Sequence, residues 1–210
     1  IQYHLPADLL PLGIGAKVGY VPDMNDTTMQ SAKDNNSLPG THNLGRTMTM
    51  LQLTAAPIDG LALRGDVAQT GNETGTAQGD EGISANVGAD YTIGQLTVSY
   101  TEGGYQPAIG DNSQTTVTYE NKFMGAQFDV SDAVSVSYNI DESMRSTRGS
   151  VAAGASSSTT TDIEMEQESL QLAYTTGGAT IGIAQVEVDN SDYTSAKKET
   201  QSVVSLAISF

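Results

Sequence analysis

Three glutamates at alternate positions, Glu164, Glu166 and Glu168, form the run EMEQE. Paired carboxylates can serve acid–base chemistry when one of them holds its proton. In an extended strand, alternate residues share a face and lie about 6.5–7 Å apart. In water, charges at that separation affect each other's pKa only weakly. The spacing therefore predicts a negative wall on one face of a strand.

Further charged and amide residues fall on the polar faces of neighbouring predicted strands. With the three glutamates, they are the candidates for lining one solvated surface: Lys17, Arg64, Asp66, Asn86, Asp90, Glu120, Lys122, Asn139 and Asp141. The acids of this set would attract cations and repel anions. The three bases would face them across the surface, although Arg64 and Asp66 are also compatible with a local ion pair only.

Signatures of catalysis and of metal binding are weak. The only histidines, His4 and His42, lie near a turn and in a polar loop, which does not support a Ser–His–Asp arrangement. There are no cysteines. The acidic loops 23–26, 110–112 and 189–192 offer oxygen ligands for Ca²⁺, but they lack EF-hand spacing, so solvated loop charges are the simpler interpretation. We expect no enzyme activity, no metal and no cofactor.

Composition argues against nucleic acid as a partner and against a large dry core. The 210 residues carry a net charge of −16, whereas phosphate binding needs clustered Lys and Arg. Hydrophobic content is 38% and Trp is absent, so an ordinary globular interior would be thin. No signal peptide and no apolar run of roughly 18 residues is visible. A β-barrel around a wet lumen meets these constraints, because it needs no dry interior.

Alternation of polar and apolar residues, the period-two signature of β-strands, dominates the chain. Tight turns containing Gly or Asp alternate with longer polar loops, which is typical of an up-and-down antiparallel meander. Eleven strands are predicted, over residues 1–4, 13–22, 45–56, 61–70, 81–93, 95–104, 115–130, 134–145, 162–175, 179–189 and 198–210.

Two of these strands change phase. The parity of the apolar residues flips near Asn121–Phe123, and again between Met165 and Leu170. A β-bulge near the loop end would produce such a flip. Alternatively, the outer part of each strand stands above a membrane and need not face lipid.

A soluble β-sandwich and a membrane barrel both contain alternating strands. Several predicted strands reach about 10–13 residues, longer than the usual 5–6 or so and close to the length of about 9–11 that crosses a bilayer at a tilt. Tight turns at one end and long loops at the other also match outer-membrane barrels. The predicted fold class is therefore all-β, a transmembrane antiparallel up-and-down β-barrel.

The C-terminal strand QSVVSLAISF places Val204, Leu206, Ile208 and Phe210 at alternate positions. With the preceding hairpins, this ending resembles a Gram-negative outer-membrane porin of the general diffusion type, as a pattern along the whole chain. In that family, a C-terminal aromatic strand is read by the barrel assembly machinery and closes the barrel against the first strand. Ile208 departs from the pattern, because many porins carry an aromatic residue there.

The resemblance implies a water-filled channel for passive diffusion in the bacterial outer membrane, without a cofactor. The acids of the polar faces predict that this channel is mildly cation-selective. The resemblance also implies contact with lipid and lipopolysaccharide, and a homotrimer. Such porins have about 16 strands, so residues 1–210 are expected to form one β-barrel domain that lacks its N-terminal strands. A complete barrel of about 10 or 12 strands is the alternative. The competing function is a soluble acidic all-β secreted protein or surface adhesin, with or without bound Ca²⁺, and detergent dependence separates the two.

Overall fold

The computed structural model describes residues 1–5, 11–22, 47–70, 81–107, 115–149 and 160–208. Most of them lie in eleven strands: β1 Gln2–Leu5, β2 Gly15–Val21, β3 Met48–Ile58, β4 Leu61–Thr70, β5 Gly82–Ile93, β6 Leu96–Gln106, β7 Thr116–Ser131, β8 Val134–Arg148, β9 Thr160–Thr176, β10 Ala179–Asp189 and β11 Lys198–Ile208. Short 3-10 turns cover Pro11–Gly13 and Ser191–Tyr193. No helix in these ranges is long and apolar enough to cross a membrane.

Every strand pairs antiparallel with its neighbours in the chain, in the order β1 to β11. The prediction of an all-β, up-and-down antiparallel fold with eleven strands is confirmed. The sheet is open in this structure, and β1 and β11 are its two edges.

The hairpins β3–β4, β5–β6, β7–β8 and β9–β10 are joined by two-residue turns. At the first of these turns, Gly60 has φ +78°, and a Cβ there would collide with the carbonyl oxygen of Thr92. Both the left-handed backbone and the close approach require glycine at this position.

Strand register is continuous where the sequence suggested a bulge. β7 pairs with β8 without interruption from Thr116 to Asp129, and β9 pairs with β8 from Thr160 to Tyr174. The register shifts of the described ladders lie at Ala55/Ile58 and Asp129/Ser131, both beside tight turns. The prediction of a bulge near the loop ends was therefore wrong, and each strand keeps its two faces along its whole paired length.

The sheet is a single layer with two unlike faces. Among the described residues, Tyr119 is the one buried hydrophobic residue. Large exposed apolar side chains share one face, here called the apolar face, which includes Val18, Leu53, Leu63, Val87, Val98, Phe128, Leu172, Ile183 and Leu206. A continuous apolar surface of this kind marks contact with a membrane or with another protein.

Candidate functional site

The candidate site is the opposite side of the sheet, here called the polar face. Residues that oppose each other directly on neighbouring strands point to the same side of a sheet, so the register defines rows across it. The Asn86 row crosses β2 to β9 through Lys17, Gln52, Asp66, Asn86, Gly103, Asn121, Ser143 and Met165.

Two neighbouring rows contain the other predicted residues of this face. The Arg64 row contains Arg64, Gly88, Thr101, Phe123, Asp141 and Gln167. The Asp90 row contains Asp90, Ser99, Gly125, Asn139 and Ser169. Lys17, Arg64, Asp66, Asn86, Asp90, Asn139 and Asp141 thus share one face within three adjacent rows.

The charged groups of this face are paired across strands. The Arg64 guanidinium forms an ion pair with Asp90, and its second nitrogen donates to Thr101 Oγ1 at 2.8 Å. Asp66 instead accepts a hydrogen bond from Asn86 Nδ2 at 3.1 Å. Arg64 therefore pairs with Asp90 on the neighbouring strand, and not with Asp66 on its own strand. Alternate residues of one strand stand about 6.5–7 Å apart, whereas side chains on neighbouring strands come closer.

Five predicted residues lie on the apolar face: Glu120, Lys122, Glu164, Glu166 and Glu168. The register shows this directly, because Lys122 opposes Glu142 and Glu142 opposes Glu166. The prediction that these five share a face with Asp66 and Asp141 was wrong. No bulge interrupts the paired length of β7 or β9 where the parity of the apolar residues flips. The same face of each strand therefore continues through the flip and changes from apolar to charged side chains.

Towards the long-loop ends of the strands, the apolar face becomes acidic. We call this region the acidic belt, and it comprises Glu102, Glu120, Glu142, Glu164, Glu166, Glu168 and Glu187. Tyrosines at its border donate to it, Tyr100 Oη to Glu102 at 2.7 Å and Tyr138 Oη to Glu168 at 2.8 Å. The alternative explanation of the change in pattern, that the outer strand ends need not face lipid, stays a prediction.

The connection between β10 and β11, residues 190–197, lies against the polar face. Tyr193 Oη is 2.7 Å from Ser143 Oγ, and Ser143 donates to Asn121 Oδ1 at 2.6 Å. The Tyr193 ring packs on the Tyr119 ring, with the two ring centroids 5.7 Å apart. The Arg145 guanidinium lies 4.9 Å from the centroid of the Tyr193 ring. Hydrogen bonding, aromatic packing and cation–π attraction together hold this tyrosine.

Arg145 is a functional candidate that sequence reasoning missed. It follows Asp141 and Ser143 on the polar side of β8, so strand parity alone could have identified it. Its Nη2 donates to the carbonyl oxygen of Tyr193 at 3.4 Å, and its buried Nε has no partner among the described residues.

The backbone of the 190–197 connection is strained, with positive φ values of 52–64° at Asn190, Asp192, Tyr193 and Ala196. Non-glycine residues in this region cost about 1–3 kcal/mol each and persist where surrounding contacts hold them. Asn190 supplies two such contacts, donating to the carbonyl oxygen of Glu164 and accepting from the Ala196 amide, both at 2.8 Å.

Lys197 forms two ion pairs within and beside the same connection, an arrangement here called the Lys197 clasp. Lys197 Nζ lies 2.6 Å from Asp192 and 2.8 Å from Glu199. Its hydrogen bonds to these two carboxylates raise the pKa of Lys197 to about 12. The same contact, first through the hydrogen bond and then through the charge of Lys197, lowers the pKa of Asp192.

A niche of about 340 Å³ opens beneath Tyr193 on the polar face. Its walls include Asn86, Asn121, Phe123, Asp141, Gln167 and Tyr193. Gly103 forms part of its lining, where a Cβ would collide with the Asn86 amide. A second cavity, of about 440 Å³, is lined in part by residues of the apolar face: Glu102, Glu120, Lys122, Glu142 and Glu164.

The terminal strand matches its predicted pattern. Val204, Leu206 and Ile208 are 75%, 63% and 61% exposed on the apolar face of β11, whereas Phe210 lies outside the described residues. The acidic loops 23–26 and 110–112 and His42 also lie outside them. Within the described residues, no group of three or more His, Cys, Asp or Glu side chains is placed to hold a metal ion.

No protein-family model and no curated protein sequence matches the chain. Solved structures of OmpT, an outer membrane protein of Vibrio cholerae, are similar to it. In-vitro folded OmpT matches with a TM-score of 0.54 at 13% identity, over 92% of this chain and 57% of that one. The trimer form of in-vitro folded OmpT matches with a TM-score of 0.55 at 13% identity, over 98% of this chain and 61% of that one. Outer-membrane expressed OmpT matches with a TM-score of 0.52 at 14% identity, over 92% of this chain and 58% of that one.

This chain thus spans less than two thirds of the length of the OmpT structures. At 13–14% identity, the likeness establishes the fold alone. The chain has the fold of outer-membrane β-barrel proteins, with an open sheet in this structure.

Proposed function

We propose that the protein is an outer-membrane porin, a water-filled channel for the passive diffusion of small hydrophilic solutes and ions. The observation that carries this proposal is the contrast between the two faces. One is apolar outside the acidic belt, and the other is lined by charges, amides and hydroxyls. A closed barrel of such strands places the first face in lipid and the second in water. The proposal includes no catalytic step and no cofactor.

The cation preference that we propose is weak. The acids on the polar face of the described strands are Asp66, Asp90, Asp129, Asp141 and Glu199, and the bases are Lys17, Arg64 and Arg145. Acids exceed bases only slightly, and one acid is paired with Arg64. The acidic belt lies on the other face, so it would shape the potential at the mouth of the channel rather than line the pore.

The partners of this proposed porin are outer-membrane lipid, lipopolysaccharide and the barrel assembly machinery. The exposed apolar side of β11, which presents Val204 and Leu206, is the surface proposed to contact the last of these. A homotrimer is also proposed, and the trimer form of a structural neighbour supports it. The domain is proposed as one barrel, to which the eleven strands of the described residues belong.

Planar-bilayer recordings of the intact protein test the proposal. We expect ohmic single-channel currents and a small positive cation selectivity in a KCl gradient. Absence of conductance, or strong anion selectivity, would contradict it. A protein that stays monodisperse without detergent would favour the soluble adhesin instead, because the apolar face would then need no lipid.

A further inference from the structure

We infer that the niche beneath Tyr193 is a subsite for a neutral polyhydroxylated solute, such as a short saccharide. The inference deepens the proposed channel function and rests on it. It concerns which diffusing solutes the polar face retains.

The polar groups of the niche match hydroxyls. Asn86, Asn121 and Gln167 carry side-chain amides, and an amide both donates and accepts hydrogen bonds. Thr101 and Ser143 add hydroxyl groups to the same walls. A sugar hydroxyl is likewise donor and acceptor, so every group in this set can pair with it.

Aromatic side chains supply the apolar part of the site. The Phe123 and Tyr193 side chains both line the niche. Binding sites for small molecules commonly combine aromatic walls with a few convergent polar groups. The C–H face of a sugar ring offers the apolar surface that such rings cover, while its rim of hydroxyls faces the amides.

The charge of the niche disfavours an anionic or multiply charged ligand. Asp141 is the one carboxylate that the polar face contributes to the described walls. Lys122 and Glu142 also line the niche, but they belong to the apolar face. Their charged groups lie 3.8 Å apart, so their charges largely offset each other. A single carboxylate suits a neutral ligand, because it accepts strong hydrogen bonds from hydroxyls.

The geometry of the niche is held in place before any ligand arrives. Gly103 leaves room for the Asn86 amide above its strand, where a Cβ would collide with it. Tyr193 has a left-handed backbone, with φ 53°, and is anchored through Ser143. Strained residues of this kind cluster at ligand clamps, where they contribute preorganisation.

The test is block of ion current by maltotriose in single channels of the intact protein. Gln167→Ala removes a niche amide, and Gln171→Ala is the matched control, an amide on the same strand and face that does not line the niche. We expect millimolar maltotriose to block the wild type, Gln167→Ala to weaken the block roughly threefold to tenfold, Tyr193→Ala to weaken it further, and Gln171→Ala to leave it unchanged.

Three results would overturn the inference: block no stronger than that of a polyethylene glycol of equal size, equal effects of Gln167→Ala and Gln171→Ala, or tighter block by citrate or trilysine. Failure of the porin proposal looks different, because either no current flows at all or the current is strongly anion-selective. In that case, saturation-transfer NMR of maltotriose with the detergent-folded protein decides the subsite alone, through signal that Gln167→Ala lowers and Gln171→Ala does not.

Discussion

The hydroxyl of Tyr193 lies 2.7 Å from that of Ser143, although 50 positions separate the two residues in the chain. This contact holds the β10–β11 connection against the polar face. A segment that reads as a plain polar loop thereby becomes part of the wall of the proposed channel.

Loss of the Tyr193 side chain should release this connection. We expect Tyr193→Ala to raise single-channel conductance and to speed tryptic cleavage after Lys197, because the hydrogen bond, the ring packing and the cation–π contact are lost together. Tyr193→Phe, which loses only a hydrogen bond worth about 1 kcal/mol, should have a smaller effect. Tyr91→Phe on the apolar face is the control, and an equal response to it would contradict the prediction.

Neutralising single acids should affect cation selectivity differently on the two faces of the sheet. Asp66→Asn and Asp141→Asn remove charges from the polar face and should each lower the cation selectivity measured from reversal potentials. Glu166→Gln removes an equal charge from the acidic belt and should change the reversal potential much less. If Glu166→Gln had the larger effect, the belt rather than the polar face would line the pore.

Acid should loosen the Lys197 clasp. Because the folded pKa of Asp192 is lowered, its contribution is complete above the ordinary value of 3.8 and is lost as pH falls through the lowered pKa. The pKa of Lys197 is raised, so its contribution is complete below 10.5 and is lost as pH rises through about 12. When pH is lowered from 7, conductance should therefore rise only as the pH falls through the lowered pKa of Asp192, which lies below 3.8. The rise should be smaller in Lys197→Met, and equal rises would show that other groups are responsible.

Two turn glycines offer a matched test of close approach. Gly60 and Gly94 both have positive φ, but a Cβ at Gly60 would collide with the Thr92 carbonyl, whereas Gly94 has open space. Gly94→Ala should cost about 1–2 kcal/mol from backbone strain alone, and Gly60→Ala should cost more. The urea midpoint of unfolding in detergent measures both, and equal costs would mean that the β3–β4 turn relaxes away from Thr92.

Much of the fold follows from local pattern, as a comparison of β8 with β10–β11 illustrates. The alternation from Val134 to Asp141 predicts a strand with one apolar face, and the structure has that strand. The same pattern also placed Asp141 on the polar side, and continuing the count would have added Arg145. By contrast, the Tyr193 contact depends on residues of a distant hairpin, so no local pattern contains it.

The sequence by itself determined the strands, the tight turns and the up-and-down order, because period-two alternation and turn chemistry act between residues close in the chain. In β7 and β9 the alternation of apolar residues changes parity along the strand. Only the tertiary structure decided on which face the charged residues of these two strands lie. Glu166 is the clear case: whether a bulge intervenes depends on pairing with β8 and β10, and that pairing runs without interruption. The position of Tyr193 over Ser143 was decided in the same way, by contacts across the sheet.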